Sequence, residues 1–144
     1  MPIKTVPRNF FAGYLFIFRN FAACNGKYMD RLLETIVKAI QEKKGKNIVS
    51  LDLRKTEGAI CSYFVVCNAD STTQVGAIAA GVEEKVLTEL NQNVWRVDGA
   101  ANSLWIAMDY IDIVVHIFQT PLRDFYKLEQ LWADAPVVKY ESEE

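Results

Sequence analysis

The sequence predicts a single α/β domain, a mixed β-sheet of about five strands with packed helices in the order αββαβββα. Three observations carry that reading. Short β-prone apolar runs are interspersed with stretches of helical periodicity, a layered arrangement of strands and helices. The run Ile60–Cys67 is almost continuously apolar, as expected for a central strand covered on both faces. A dense block from Leu104 to Pro136 delivers a strand pair directly onto an aromatic-rich helix.

Taken in order, Asp30 is placed to cap a first helix whose Leu33, Ile36, Val37 and Ile40 form an apolar stripe ended by Gly45. Asn47–Leu53 alternates Ile48, Ser50 and Asp52 against Val49, Leu51 and Leu53, the pattern of a half-buried strand. The polar turn from Arg54 to Gly58 leads into the central strand. Asp70-Ser71-Thr72 then opens a long helix with Val75, Ile78, Ala79, Val82, Val86 and Leu90 on one side. Gly76 and Gly81 each cost that helix about 1 kcal/mol relative to alanine, and they are expected to permit close helix–sheet approach. Val94–Val97 is a short third strand. Trp105–Met108 and Ile113–Phe118 flank Asp109-Tyr110-Ile111-Asp112, which reads as strand, tight turn, strand. Thr120 offers a helix N-cap, and Pro121 stands at the first helical position, where its missing N–H costs nothing. Phe125, Leu128, Leu131 and Trp132 recur at helical spacing, so Phe125, Leu128 and Trp132 are expected in the core, with Arg123 and Glu129 on the exposed face and open to local ion pairing.

The 144 residues suit one domain with a genuine core. Charge is unevenly distributed. Residues 1–28 hold Lys4, Arg8, Arg19 and Lys27 and no acid, which leaves 12 basic and 18 acidic residues in the other 116, a formal balance of −6. Such a body argues against broad binding to a phosphate backbone, which needs clustered Lys and Arg. Three cysteines, Cys24, Cys61 and Cys67, form no CxxC pair; Cys61 and Cys67 are six apart in one apparent strand and too distant to bridge. Small buried thiols in a reducing compartment are the expectation. One histidine and no metal-spaced Cys/His cluster leave no zinc signature.

Residues 1–28 do not belong to the pattern. The apolar run Phe10–Phe18 behind a basic start imitates a secretory signal, and Phe21-Ala22-Ala23-Cys24 imitates a lipoprotein cleavage box. Arg19 interrupts that stretch, and the run is too short to span a bilayer. The preferred reading is an extension upstream of the functional start, or a tail unrelated to the domain.

Candidate chemistry is sparse. Asp109 and Asp112 could ligate a metal, but carboxylates three apart across a turn do not share one strand face, and a turn-forming role is the commoner one. No Gly-rich phosphate loop or Walker-type lysine is present. His116, inside a strand, reads as hydrogen-bonded structure. Cys61 and Ser62 have no partner base with an orienting acid. Alternation puts Trp105, Ala107 and Asp109 on one face of their strand and Ile106 and Met108 on the other. Trp105 is then either an exposed binding anchor or, if helices cover both faces, core. Pattern alone does not separate the two. Tyr110, at the hairpin tip, is either turn filler or a contact, and contact is favoured.

The segment WIAMDYIDIVVHIF at 105–118, followed by RDFYKLEQLWADAP at 123–136, resembles the signature of the ribosomal silencing factor family, also called Iojap-related proteins. A second matching block lies upstream: SLDL at 50–53, SYFVVCNADSTTQVGAIA at 62–79, and Val97-Asp98-Gly99. The likeness runs in order from about Asp30 to Pro136, which gives a domain at 29–137, an N-terminal extension at 1–28 and an acidic C-terminal tail at 138–144, frayed at its end. The resemblance implies a nucleotidyltransferase-like fold without catalysis, metal or cofactor. It implies a cytoplasmic translational repressor that docks on large-subunit ribosomal protein fourteen, sterically blocks joining of the subunits when nutrients are short, and assists large-subunit biogenesis. It also turns Trp105 into an anchor, because the family uses this edge of the sheet for its ribosomal partner. The implied contacts are Trp105, Asp109 and Tyr110, joined by Asp70, Ser71 and Gln74 at the start of the long helix. No sequence-specific nucleic acid or membrane is expected, and an exposed sheet edge leaves room for a homodimer. Three positions depart from the family pattern: Ser62 where an acid usually stands, Ile111 where glycine often follows Asp-Tyr, and Asn68-Ala69-Asp70 in place of a glycine-bearing turn. Ile111 resists a positive φ if the turn demands one. The competing class is a nucleotidyltransferase-like enzyme using Asp109 or Asp112 with magnesium; a membrane-tethered lipoprotein rests on Cys24 alone.

Overall fold

The central apolar run and the second strand of the hairpin lie side by side in the middle of one sheet. The structure, a computed structural model, describes residues 26–59 and 61–142. In chain order the elements are α1 (Gly26–Glu42), β1 (Lys46–Asp52), β2 (Tyr63–Ala69), α2 (Thr72–Leu90), β3 (Arg96–Asp98), β4 (Trp105–Asp109), β5 (Ile113–Gln119), α3 (Thr120–Tyr126), α4 (Leu128–Leu131) and β6 (Val137–Lys139). The sheet order is β3-β4-β5-β2-β1-β6. Only β2 and β5 run parallel, from Tyr63 against Ile113 to Ala69 against Gln119. Parallel neighbours need a long crossover, and α2 with the β3–β4 pair supplies it. The remaining pairs are antiparallel.

The mixed α/β expectation therefore holds, and β2 is buried along its whole length as a central strand should be. One face of the sheet, with Val65, Cys67, Met108, Val115 and Ile117, packs under Leu32, Ile36 and Ile40 of α1 and Val75, Ile78, Val82 and Val86 of α2. The other face, with Val49, Leu51, Phe64, Val66, Val114 and Phe118, is covered by a thinner strap of Leu122, Tyr126, Leu128, Trp132 and Ala135. Among the described residues no helix is long and apolar enough to cross a membrane.

Several local expectations change. Asp30 lies inside α1 on its exposed side, so it caps nothing there. Ser50 is buried rather than solvent-facing, because β6 pairs with β1 and the Tyr140 hydroxyl meets Ser50 Oγ at 3.1 Å. Gly81 admits the Lys43 side chain at the end of α1, not the sheet: an added Cβ would lie 2.7 Å from it. The C-terminal helix is two pieces, since Lys127 adopts φ 50 and ends α3 through its N–H to the Arg123 carbonyl. Gln119, not Thr120, occupies the cap position of α3. The segment read as the start of a tail instead completes the sheet as β6, and the Tyr140 N–H donates to the Ile48 carbonyl at 2.9 Å. The predicted extension lies outside the described residues up to residue 25, Cys24 included.

Candidate functional site

Trp105 opens β4, and alternation along that strand places it with Ala107 on the strap-covered face, as its pattern implied. The indole is half-buried. It stacks on Phe118 with centroids 4.8 Å apart, and the tilted Tyr126 ring of α3 lies 5.2 Å away. Its Nε1–H donates to His116 Nδ1 at 3.1 Å, which puts the imidazole proton on Nε2. Burial pushes the His116 pKa down to about 3, so the ring is a neutral acceptor that orients the indole. The aromatic run continues outward: Phe125 meets Tyr126 edge to face at 5.2 Å and is 75% exposed. Phe125 was expected in the core. The left-handed break at Lys127 rotates it out of register with Leu128 and Trp132, which do pack inward. Leu104, beside Trp105, is also exposed.

The hairpin residues at the other end of β4 behave differently. Asp109 is 0% exposed and Tyr110 1% exposed, so neither can serve as a surface contact. Tyr110 packs into the helix-covered core with Met108 and Ile113. The Asp109 Oδ1 accepts from the Ile111 N–H at 2.7 Å, and this bond holds Ile111 at φ 77. The strain that a β-branched residue was expected to meet in this turn is present. Desolvation raises the Asp109 pKa to about 7, against the opposing pull of the Ile111 N–H and Arg96. Asp112 shifts in the same direction through burial. Among the described residues no three His, Cys, Asp or Glu side chains gather closely enough to hold a metal ion. Cys61 and Cys67 are buried free thiols, and burial pushes Cys67 up to about 12, far from a reactive thiolate.

Asp70, Ser71 and Gln74 sit at the same end of the sheet as Trp105, because Trp105 pairs with Phe118 and Phe118 with Asn68. Two interstrand steps, on the order of 10 Å, separate Trp105 from Asn68, and Asp70, Ser71 and Gln74 lie beyond that strand end. Each also has a structural duty. Asp70 accepts from Lys46 and from Thr120 Oγ1, and the Lys46 bond, then the Thr120 bond, hold its carboxyl below the usual range. Ser71 Oγ caps α2 by accepting from the Gln74 N–H at 3.1 Å. The Gln74 amide donates to the Lys44 carbonyl at 3.1 Å, closing the end of α1. The structure thus puts Trp105 and the α2 start at one end of the sheet, Trp105 on the strap-covered face and Gln74 against the end of α1, with Asp109 and Tyr110 at the other end.

For Arg123 the expected local ion pair with Glu129 forms, but the expected exposure does not. Its side chain is only 10% exposed, and it donates to Glu129 at 2.9 Å, to Asn68 Oδ1 at 2.9 Å and to the Asn47 carbonyl. The available signal was weak: two asparagines, Asn47 and Asn68, at strand positions where β-propensity disfavours them.

Comparison with known proteins gives a consistent picture. Residues 27–144 match the family described as "Ribosomal silencing factor during starvation". A Halalkalibacterium halodurans protein named ribosomal silencing factor RsfS is 37% identical over 110 residues, spanning 76% of this chain and 92% of the relative. The chloroplastic Iojap protein of Zea mays is 30% identical over 108 residues, 73% of this chain and 45% of that protein. A crystal structure from Chromobacterium violaceum superposes with a TM-score of 0.67 at 31% identity, covering 72% of this chain and 85% of that one.

Proposed function

We propose, since the chain belongs to the ribosomal silencing factor family, that it represses translation by binding the large ribosomal subunit through its protein fourteen and holding off the small subunit. The mechanism is occupancy: a folded wedge at the joining face excludes the other subunit while it stays bound. The same occupancy on immature particles would serve large-subunit biogenesis. The reading places the work in the cytoplasm and in the domain at 29–137.

The observation that carries the choice of surface is the aromatic run Phe118–Trp105–Tyr126–Phe125, which leads from the core to an outermost ring that is 75% exposed. Aromatic anchors backed by rigid packing are the residues that dominate protein interfaces. Trp105 and Phe125 would be the anchors, with Asp70, Ser71 and Gln74 on the rim. Asp109 and Tyr110 would support the hairpin without touching the partner.

The test is co-sedimentation with purified large subunits. Phe125→Ser removes an exposed ring at a cost to stability within about 0.5 kcal/mol, so loss of binding in this variant reports contact and not unfolding. We expect the wild type to pellet with large subunits and Phe125→Ser to bind at least about tenfold more weakly. Wild-type binding that both Phe125→Ser and Trp105→Ala leave unchanged would move the contact elsewhere. Nucleotide with magnesium should leave the melting temperature unchanged; a rise would revive the enzymatic alternative at Asp109 and Asp112.

A further inference from the structure

We propose that the cleft at the carboxyl ends of β2 and β5 binds a small zwitterion of the free α-amino acid class, with Arg123 taking its carboxylate and Asp124 its ammonium group. The cleft has a volume of about 460 Å³ and is lined by Asn68, Thr120, Arg123, Asp124, Glu129 and, on its far side, Lys139. That size lies within the range of small-molecule sites, roughly 300–1,000 Å³. The cleft lies beyond the carboxyl end of β2, between the first turn of α3 and the β1–β6 edge of the sheet.

Arg123 is the central observation. Nine-tenths of its side chain is buried, and desolvating a guanidinium is costly unless its N–H groups are used. Nε donates to Glu129, and Nη1 donates to Asn68 Oδ1 and the Asn47 carbonyl. Those bonds already tie α3 to β1, β2 and α4. Among the described residues no hydrogen bond reaches Nη2, and this nitrogen is not sealed from solvent. Arg123 lines the cleft, and its two Nη2–H donors are the ones its bonds within the fold leave for a ligand there.

The charge of the lining selects among anions. Arg123 and Lys139 stand against Asp124 and Glu129, a formal balance of zero, so a phosphate with two charges gains little. A zwitterion matches both signs. Asp124 is exposed and makes no ion pair among the described residues, which leaves its carboxylate available to an ammonium group.

Calorimetric titration of the full chain with a panel of free L-amino acids tests this without any ribosome, so its outcome is independent of the silencing role. At least one should bind saturably. N-acetylglycine, which lacks the ammonium, and glycinamide, which lacks the carboxylate, should bind at least about tenfold more weakly than that amino acid. Asp124→Asn lies on the surface, leaves the fold intact and should weaken binding about tenfold; Arg123→Lys, which keeps the charge and loses Nη2, should do the same. No heat from any amino acid overturns the proposal. So does binding of inorganic phosphate alone, or amino-acid affinity unchanged in Asp124→Asn.

Discussion

Asp109 is a wholly buried carboxyl with one oxygen, Oδ2, that has no hydrogen-bond partner among the described residues. What it contributes is the bond from Oδ1 to the Ile111 N–H, which fixes a left-handed turn residue. Its pKa is raised to about 7 by desolvation, above an unfolded value of about 3.9. Between those values the folded chain holds a proton that the unfolded chain has lost, so this group's contribution to stability falls as pH rises from about 4 to about 7. Asp109→Asn keeps the acceptor and removes the charge. Relative to wild type it should gain stability progressively across that window and level off above it, read by urea denaturation at several pH values; a difference independent of pH would refute the assignment. His116 has the opposite sign. Its pKa of about 3 lies below the unfolded value of about 6.5, so its contribution is lost as pH falls below about 6.5. The face of Trp105 was legible from strand alternation. The burial of Asp109 and Tyr110 was not, because a polar side chain at a hairpin reads as exposed until β3 and α2 are seen to close over it.

At the scale of elements, the boundary between α3 and α4 is the clearest lesson. Phe125, Leu128, Leu131 and Trp132 do recur at helical spacing, but periodicity carries no trace of a single left-handed residue, and Lys127 supplies one at φ 50. Lys127 is exposed, so Lys127→Gly should stabilise the fold by about 1 kcal/mol by relieving that conformation, seen as a rise in melting temperature. Gly99 is the converse case. It sits at φ 88 in the turn between β3 and β4, where an added Cβ would come 2.0 Å from the Trp105 carbonyl oxygen. Gly99→Ala should cost at least about 2 kcal/mol, and it should loosen the start of β4 that presents Trp105. A neutral result in denaturant titration would mean that this turn is easily rearranged. Elsewhere local chemistry was readable: Ser71 caps α2 where the polar triplet Asp70-Ser71-Thr72 precedes an apolar stripe.

For the whole molecule, the sheet was legible because its central strands are continuous apolar runs and its hairpin has a compact turn. The sixth strand was not. Val137–Lys139 is three exposed residues long, too short for any period, and it forms only because β1 offers an open edge. The same blindness applied to the burial of Arg123: its ion pair with Glu129 is local, but its other two partners lie 55 and 76 residues away in sequence. Family resemblance proposed a surface where periodicity offered none, yet two of the hairpin residues it implied, Asp109 and Tyr110, are ones the fold buries. The proposed working surface is the Trp105 end of the sheet, whose base is shared with α3. The most direct test is subunit joining itself. Purified large subunits are saturated with the protein, small subunits are added, and joined particles are separated on a sucrose gradient. Joined particles should fall in step with occupancy of the large subunit, and Phe125→Ser should restore them. Undiminished joining with the protein still bound to the large subunit would contradict silencing by occupancy.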